Sequence, residues 1–125
     1  MISNYNQKNF VLLIHLTQFA GYVLPLAGLI VPVIMWFSKK DEDQIIDLHG
    51  RIVINWIITE IILLVVAVPL TAILIGFPFL IAIGICGIAF PIIGALKASE
   101  YQTWPYPLSI DFMGVKQRIN DKRYN

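Results

Sequence analysis

Charge is the scarcest property of this sequence. Asp, Glu, Lys and Arg make up 14% of its 125 residues, against about 25% in an ordinary soluble domain. The net charge of +1 leaves no basic field of the kind that attracts nucleic acid. Cysteine occurs once, at Cys86, which excludes an internal disulfide and any multi-cysteine zinc pattern. Its apolar neighbours mark it as a small packing residue. The two histidines, His15 and His49, are too few and too far apart in sequence to suggest a metal site within one chain. There is no G-x-S-x-G, no H-E-x-x-H, no Walker A loop and no G-x-G-x-x-G. No catalytic residue, cofactor or metal is therefore expected, and the chain does not read as an enzyme. Internal repeats and low-complexity runs are also missing.

What is abundant is apolar surface, 58% of the residues. From Phe10 to Phe37, 28 residues contain no charge, and from Ile52 to Leu96, 45 residues contain one, Glu60. A helix rises about 1.5 Å per residue and a bilayer core of about 30 Å takes about 20 residues. The second stretch thus holds two spans, 52–75 and 77–96, joined at Gly76-Phe77-Pro78 as an antiparallel hairpin. The first stretch is too long for a signal-peptide core of about 7–15 residues and lacks an A-x-A-like cleavage site, so it reads as retained. It is favoured as one tilted span, 10–37, kinked at Pro25 and Pro32. The alternative breaks it between Gly21 and Pro25 into two short arms that enter and leave on one side, which is tolerated only where protein or water covers the break.

The chain then divides into an N-terminal tail, 1–9, a transmembrane helical unit, 10–97, and an interfacial tail, 98–125. In the polar segment 38–51, Asp41 and Asp43 are candidate helix caps, and Gly50 is expected to let the chain bend into the next span. Tyr101, Trp104 and Tyr106 follow a span, where aromatic rings prefer the headgroup level. Leu108, Ile110 and Phe112 alternate with polar residues as in a short extended segment. Lys39, Lys40, Arg51 and Lys97 put segment 38–51 and the C-terminus on the cytoplasmic side. The N-terminus lies outside for three spans and inside for a broken hairpin.

Glu60 is the sharpest single feature. It sits about 12 Å below the surface, where a charged carboxylate costs about 2.5–3.5 kcal/mol or more. It must be protonated, paired or wet: a proton or ion relay on one reading, a neutral acid bonded to a neighbouring helix on the plainer one. His15, Gln18 and Tyr22 share one helical face, with His15 read as an interfacial hydrogen-bonding residue. Arg51, Asn55 and Thr59 form a polar stripe on the second span, and His49, Val53, Trp56 and Glu60 another. Two such stripes argue against a helix surrounded by lipid. On the third span Gly84, Gly87, Gly94 and Ala98 suit close helix packing. Lys116, Arg118, Lys122 and Arg123 make the end basic, suited to anionic lipid headgroups or simply to solvent.

Several segments together, HLTQFAGYVLPLAGLIVPVIMW, Lys39-Lys40-Asp41, Asp47-x-His49-Gly50-Arg51-x-x-x-Asn55, IGFPFLIAIGICGIAFPIIGALKA and YPLSI, resemble a bacterial family of small membrane proteins called Tic-twenty-like, after distant similarity to a chloroplast inner-envelope import protein. The resemblance covers about residues 10–112. It implies a membrane fold without an established activity, and its import-channel analogy stands at fold level only. Asn55 matches the family pattern at the start of the second span, whereas Trp56 and Ile57 replace an aromatic-glutamine pair.

The expectation is an all-α polytopic membrane bundle with three spans, or four segments if Phe10–Phe37 is a broken hairpin, in the bacterial inner membrane. The expected role is a non-enzymatic subunit that packs against itself or another membrane protein, with the lipid bilayer as its medium and no nucleic-acid partner. The alternative is a pore, carrier or translocation-type channel component using a polar path near Glu60.

Overall fold

A computed structural model describes residues 4–121. These residues form five helices, α1 (Tyr5–Leu16), α2 (Ala27–Lys39), α3 (Gln44–Leu70), α4 (Gly76–Ser99) and α5 (Val115–Asn120), with 3-10 turns at Thr17–Tyr22 and Thr71–Ile73. No strand occurs among the described residues. The stretch around Leu108, Ile110 and Phe112 is a run of turns, because Phe112 N–H bonds back to the Ile110 carbonyl and not to a neighbouring strand.

The first apolar stretch is not one kinked span. Its helix breaks between Leu16 and Ala27, where Gly21 and Pro25 stand. The two halves come together at Gly21 and Gly28. A Cβ on Gly28 would lie 2.8 Å from Gly21 Cα and 2.7 Å from the Gln18 carbonyl oxygen, so only glycine permits this approach. With 12 and 13 residues, each arm is only about 20 Å long and falls short of a bilayer core.

Both arms end at the same end of the bundle. The Asp43 carboxylate accepts from the N–H groups of Ile45 and Ile46 at 2.9 and 3.2 Å, capping α3. It also accepts from Gln7 Nε2 at 2.7 and 2.8 Å, which ties the start of α1 to the start of α3. Asp41, the other candidate cap, pairs with Lys40 instead. At the returning end of α2, Trp36 Nε1 donates to Asp47 Oδ1 at 2.8 Å. Arg51 grips the same carboxylate at 2.9 Å, and Arg118 of α5 lies 3.8 Å from it.

Two helices are long and apolar enough to cross a membrane, α3 continued through its 3-10 turn to Ile73 and α4, at 30 and 24 residues. The expected third span is thus not confirmed: among the described residues, neither α1 nor α2 reaches that length. The outer faces of these two helices are apolar, with Ile61, Val65 and Val68 on α3 and Phe79, Ile81 and Ile85 on α4 exposed. The core lies toward the other end. There Trp56, only 1% exposed, packs edge-on to Phe90 with ring centres 4.9 Å apart, and Trp104 and Tyr106 complete the aromatic cluster. Tyr106 thus lies inside the bundle and not at an exterior belt.

Helix α3 begins at Gln44 and continues through Gly50 without a break. Gly50 is there for space: a Cβ would run into the Trp36 indole. Alanine gains about 1 kcal/mol over glycine in an unobstructed helix, yet here it must displace an indole that also holds Asp47. Gly50→Ala is expected to lower stability by about 1–3 kcal/mol, measured by thermal unfolding in mild detergent. An unchanged midpoint would show that Trp36 does not pack there.

Candidate functional site

Three of the polar residues singled out in sequence belong to one buried network. His15 Nε2 lies 3.0 Å from His49 Nδ1, and His15 Nδ1 lies 2.6 Å from the Tyr106 hydroxyl. Gln18 Nε2 donates to that hydroxyl at 2.9 Å and to the His15 carbonyl at 3.0 Å. His49 Nε2 meets Thr103 Oγ1 at 3.2 Å. Both histidines are fully buried.

The direction of the chain follows from its members. A backbone carbonyl only accepts, so the Gln18 atom facing it is the amide nitrogen, and the same nitrogen donates to Tyr106. The Tyr106 proton is then directed at His15 Nδ1. His15 Nε2–H points to His49 Nδ1, and His49 Nε2–H to Thr103. Every ring nitrogen is satisfied with both imidazoles neutral, as burial demands. Burial drives the Tyr106 phenol well above its ordinary range, more than the Gln18 hydrogen bond lowers it, so it stays a donor. Helix α4 makes room at Gly94, where a Cβ would stand 2.7 Å from His15 Nδ1 and 2.8 Å from the Tyr106 ring.

The Arg51–Asn55–Thr59 stripe is covered by the C-terminal segment. Asn55 Nδ2 donates to Asp111 Oδ1 at 2.9 Å, and Asn55 Oδ1 accepts from Met113 N at 2.8 Å. Thr59 Oγ1 accepts from Ile110 N at 2.9 Å and donates to the Asn55 carbonyl at 2.7 Å. Arg51 Nη1 reaches the Met113 carbonyl at 3.2 Å. Asp111 in turn accepts from Val115 N and Lys116 N at 2.7 and 3.0 Å, which starts α5. Partial burial pushes the Asp111 carboxyl up, but these donors and Asn55 outweigh it and hold the group below its usual range.

Glu60 stands apart from both sets. It faces a cavity of about 360 Å³ at the tip of the α1–α2 hairpin, shared with Gln18 and Tyr22. A Cβ on Gly87 of α4 would come within 2.5 Å of Glu60 Oε1 and 3.6 Å of the Tyr22 hydroxyl, so carboxylate and phenol converge over that glycine. Gly84, by contrast, has nothing near it and faces outward, while Ala98 is fully buried. Lys116 is exposed, Arg118 bonds to the carbonyls of Met113 and Gly114, and Lys122 and Arg123 lie outside the described residues. Among the described residues, no three His, Cys, Asp or Glu gather as a metal site.

Sequence inspection placed His15 with Gln18 and Tyr22, but it missed Tyr106 and Thr103 as partners of His15, Gln18 and His49, and Asp111 as the partner of the Arg51–Asn55–Thr59 stripe. Only the two unexplained stripes on α3 signalled that some other segment had to cover them.

A sequence profile of the magnetosome magnetite crystal formation protein family, MamF/MmsF, matches residues 6–113. The chain belongs to this family. The match corrects the Tic-twenty-like assignment, which rested on hydrophobic pattern with interspersed Gly and Pro, features many small membrane proteins share. No curated protein and no solved structure gives a significant match. The profile takes in α1 to α4 and the segment up to Met113, so this MamF/MmsF chain carries the His15–His49–Tyr106 network and the Asn55 and Thr59 contacts inside the matched region.

Tyr106→Phe removes one hydroxyl and leaves His15 Nδ1 without a donor. The expected loss is about 1–3 kcal/mol of stability, read as a lower unfolding midpoint in detergent. Tyr101→Phe, at an exposed ring, should leave the midpoint unchanged. Equal midpoints for both variants would remove Tyr106 as the keystone of the network.

Proposed function

We propose that this MamF/MmsF protein is a non-enzymatic membrane component that acts in magnetite crystal formation at the magnetosome membrane, assembling with copies of itself or with other membrane proteins. The observation that carries the reading is the family match across residues 6–113. The apolar outer faces of α3 and α4 support it, since such surface is stable only against lipid or another apolar helix. Gly84, open on the outside of α4, supports close approach of a neighbouring helix. Deleting the chain from a magnetite-forming host should change crystal size or shape in electron micrographs, with recovery on re-expression. Crystals indistinguishable from those of the parent strain would overturn the proposal.

A pore lined by Glu60, Asn55 and Thr59 has less support, because the hydrogen bonds of Asn55 and Thr59 are already taken by residues 110–113. The channel analogy falls with the resemblance that carried it.

We also infer that α1 and α2 form a re-entrant hairpin and that its ends share the cytoplasmic side with segment 38–51 and the C-terminal segment. The Gln7–Asp43 and Trp36–Asp47 bonds support the common side, and Lys39, Lys40 and Lys97 support its being cytoplasmic. In a Cys86→Ser background, Lys8→Cys, Lys40→Cys and Lys116→Cys should each react with a membrane-impermeant maleimide only after permeabilisation. Reaction of Lys8→Cys alone in sealed cells would restore the three-span arrangement.

A further inference from the structure

The hydrogen-bonded network and the C-terminal segment hold His15, His49, Asn55 and Thr59, but they leave out the half-buried Glu60. This carboxylate is the one charge in a run of 45 residues, and among the described residues it has no hydrogen-bond or ion-pair partner. It is nevertheless given room. Gly87 stands opposite, and a Cβ there would lie 2.5 Å from Oε1, so the carboxylate would have to turn aside. The cavity it enters, about 360 Å³, exceeds many times over what one water needs.

Groups from every packed element bear on the carboxylate. The hairpin turn contributes Gln18 and Tyr22, α2 contributes Leu29, α3 contributes Ile57 and Leu64, and α4 contributes Gly87. No Lys, Arg or His and no second carboxylate lines the cavity, and Tyr22 is its other titratable residue. The nearest imidazole network belongs to His15, connected to the cavity through Gln18, which bonds to the His15 carbonyl and to Tyr106. With no protein cation at hand, a single positive charge from outside balances the carboxylate. One carboxylate with two neutral polar neighbours is a poor set for a divalent ion, which takes several oxygen ligands. A proton needs one.

We propose that Glu60 is a proton-exchange site, taking up and releasing one proton with water held in the cavity at the tip of the α1–α2 hairpin. On uptake an O–H bond forms at the carboxylate and a hydronium ion becomes water; on release the carboxyl O–H breaks and water takes the proton. Tyr22 and Gln18, which share the cavity with Glu60, are the positioning residues: their polar groups face the same water. The proposal is independent of the role in crystal formation, and the two fail separately: one is read on the purified protein, the other on crystals in cells.

The test uses the full chain in vesicles of phosphatidylethanolamine and phosphatidylglycerol, treated with dicyclohexylcarbodiimide. This apolar reagent forms a stable adduct with protonated carboxyl groups in apolar surroundings, and peptide mass spectrometry locates it. The expected result is an adduct on Glu60 that falls about tenfold or more as pH is raised from about 5 to about 9, absent in Glu60→Gln, with a shifted midpoint in Tyr22→Phe. Wild-type labelling decides the matter even if a variant fails to fold. Absence of an adduct at any pH means a permanently charged group and overturns the proposal. Labelling equal at all pH values means a permanently neutral structural acid and also overturns it. Protection by sodium or ferrous ion at constant pH would replace the proton with a metal cation and overturn it too.

Discussion

The hydroxyl of Tyr106 sits at the centre of the buried hydrogen bonding on which the arrangement of the helices depends. It receives a hydrogen bond from Gln18 and gives one to His15, and through His15 it orients His49. Three parts of the chain that are distant in sequence thereby meet: α1 with the hairpin turn that follows it, α3, and the segment beyond α4. In water such groups would each find a solvent partner. Inside an apolar bundle they must find one another, because an unsatisfied buried polar group costs about 1–3 kcal/mol. The cost of leaving them apart is what folds residues 103–113 back onto the helices.

The same constraint explains the other joints. Asp43 serves the α3 N-terminus and Gln7 at once, and Asp47 serves Trp36 and Arg51. Each carboxylate lies at the polar end of the bundle, where its charge meets cationic groups or helix N–H groups. Toward the other end polar groups thin out, and past the Glu60 cavity the exposed surface is almost wholly apolar. The molecule is thus polar and tightly cross-linked at one end and apolar at the other. That asymmetry accompanies a hairpin of two short arms beside two helices that are long and apolar enough to cross a membrane.

Glycine and proline placement serves this arrangement more than it serves chain flexibility. Gly28 lets the two hairpin arms touch, and Gly50 leaves room for Trp36. Gly76 was the natural place for a turn, yet it opens α4 and is buried. The turn itself falls earlier, with Leu74 in the left-handed conformation at φ 66°. Its side chain is 73% exposed and adds to the apolar surface at this end of α3 and α4.

The amino-acid sequence alone determined the membrane character, the all-α class, the α3–α4 hairpin and the polar faces of α3, because scarcity of charge and spacing along a helix are local properties. It also contained both forms of the first apolar stretch, and length could not choose between them: 28 uncharged residues suit one tilted helix or two short arms. Tertiary structure decided that question through contacts between residues far apart, Gln7 with Asp43 and Trp36 with Asp47. It likewise decided which segment satisfies the stripes, since Tyr106 and His15 stand 91 positions apart and Asn55 and Asp111 stand 56 apart. No periodicity carries information over such separations. Only the closing of the chain upon itself brings those groups within hydrogen-bonding distance.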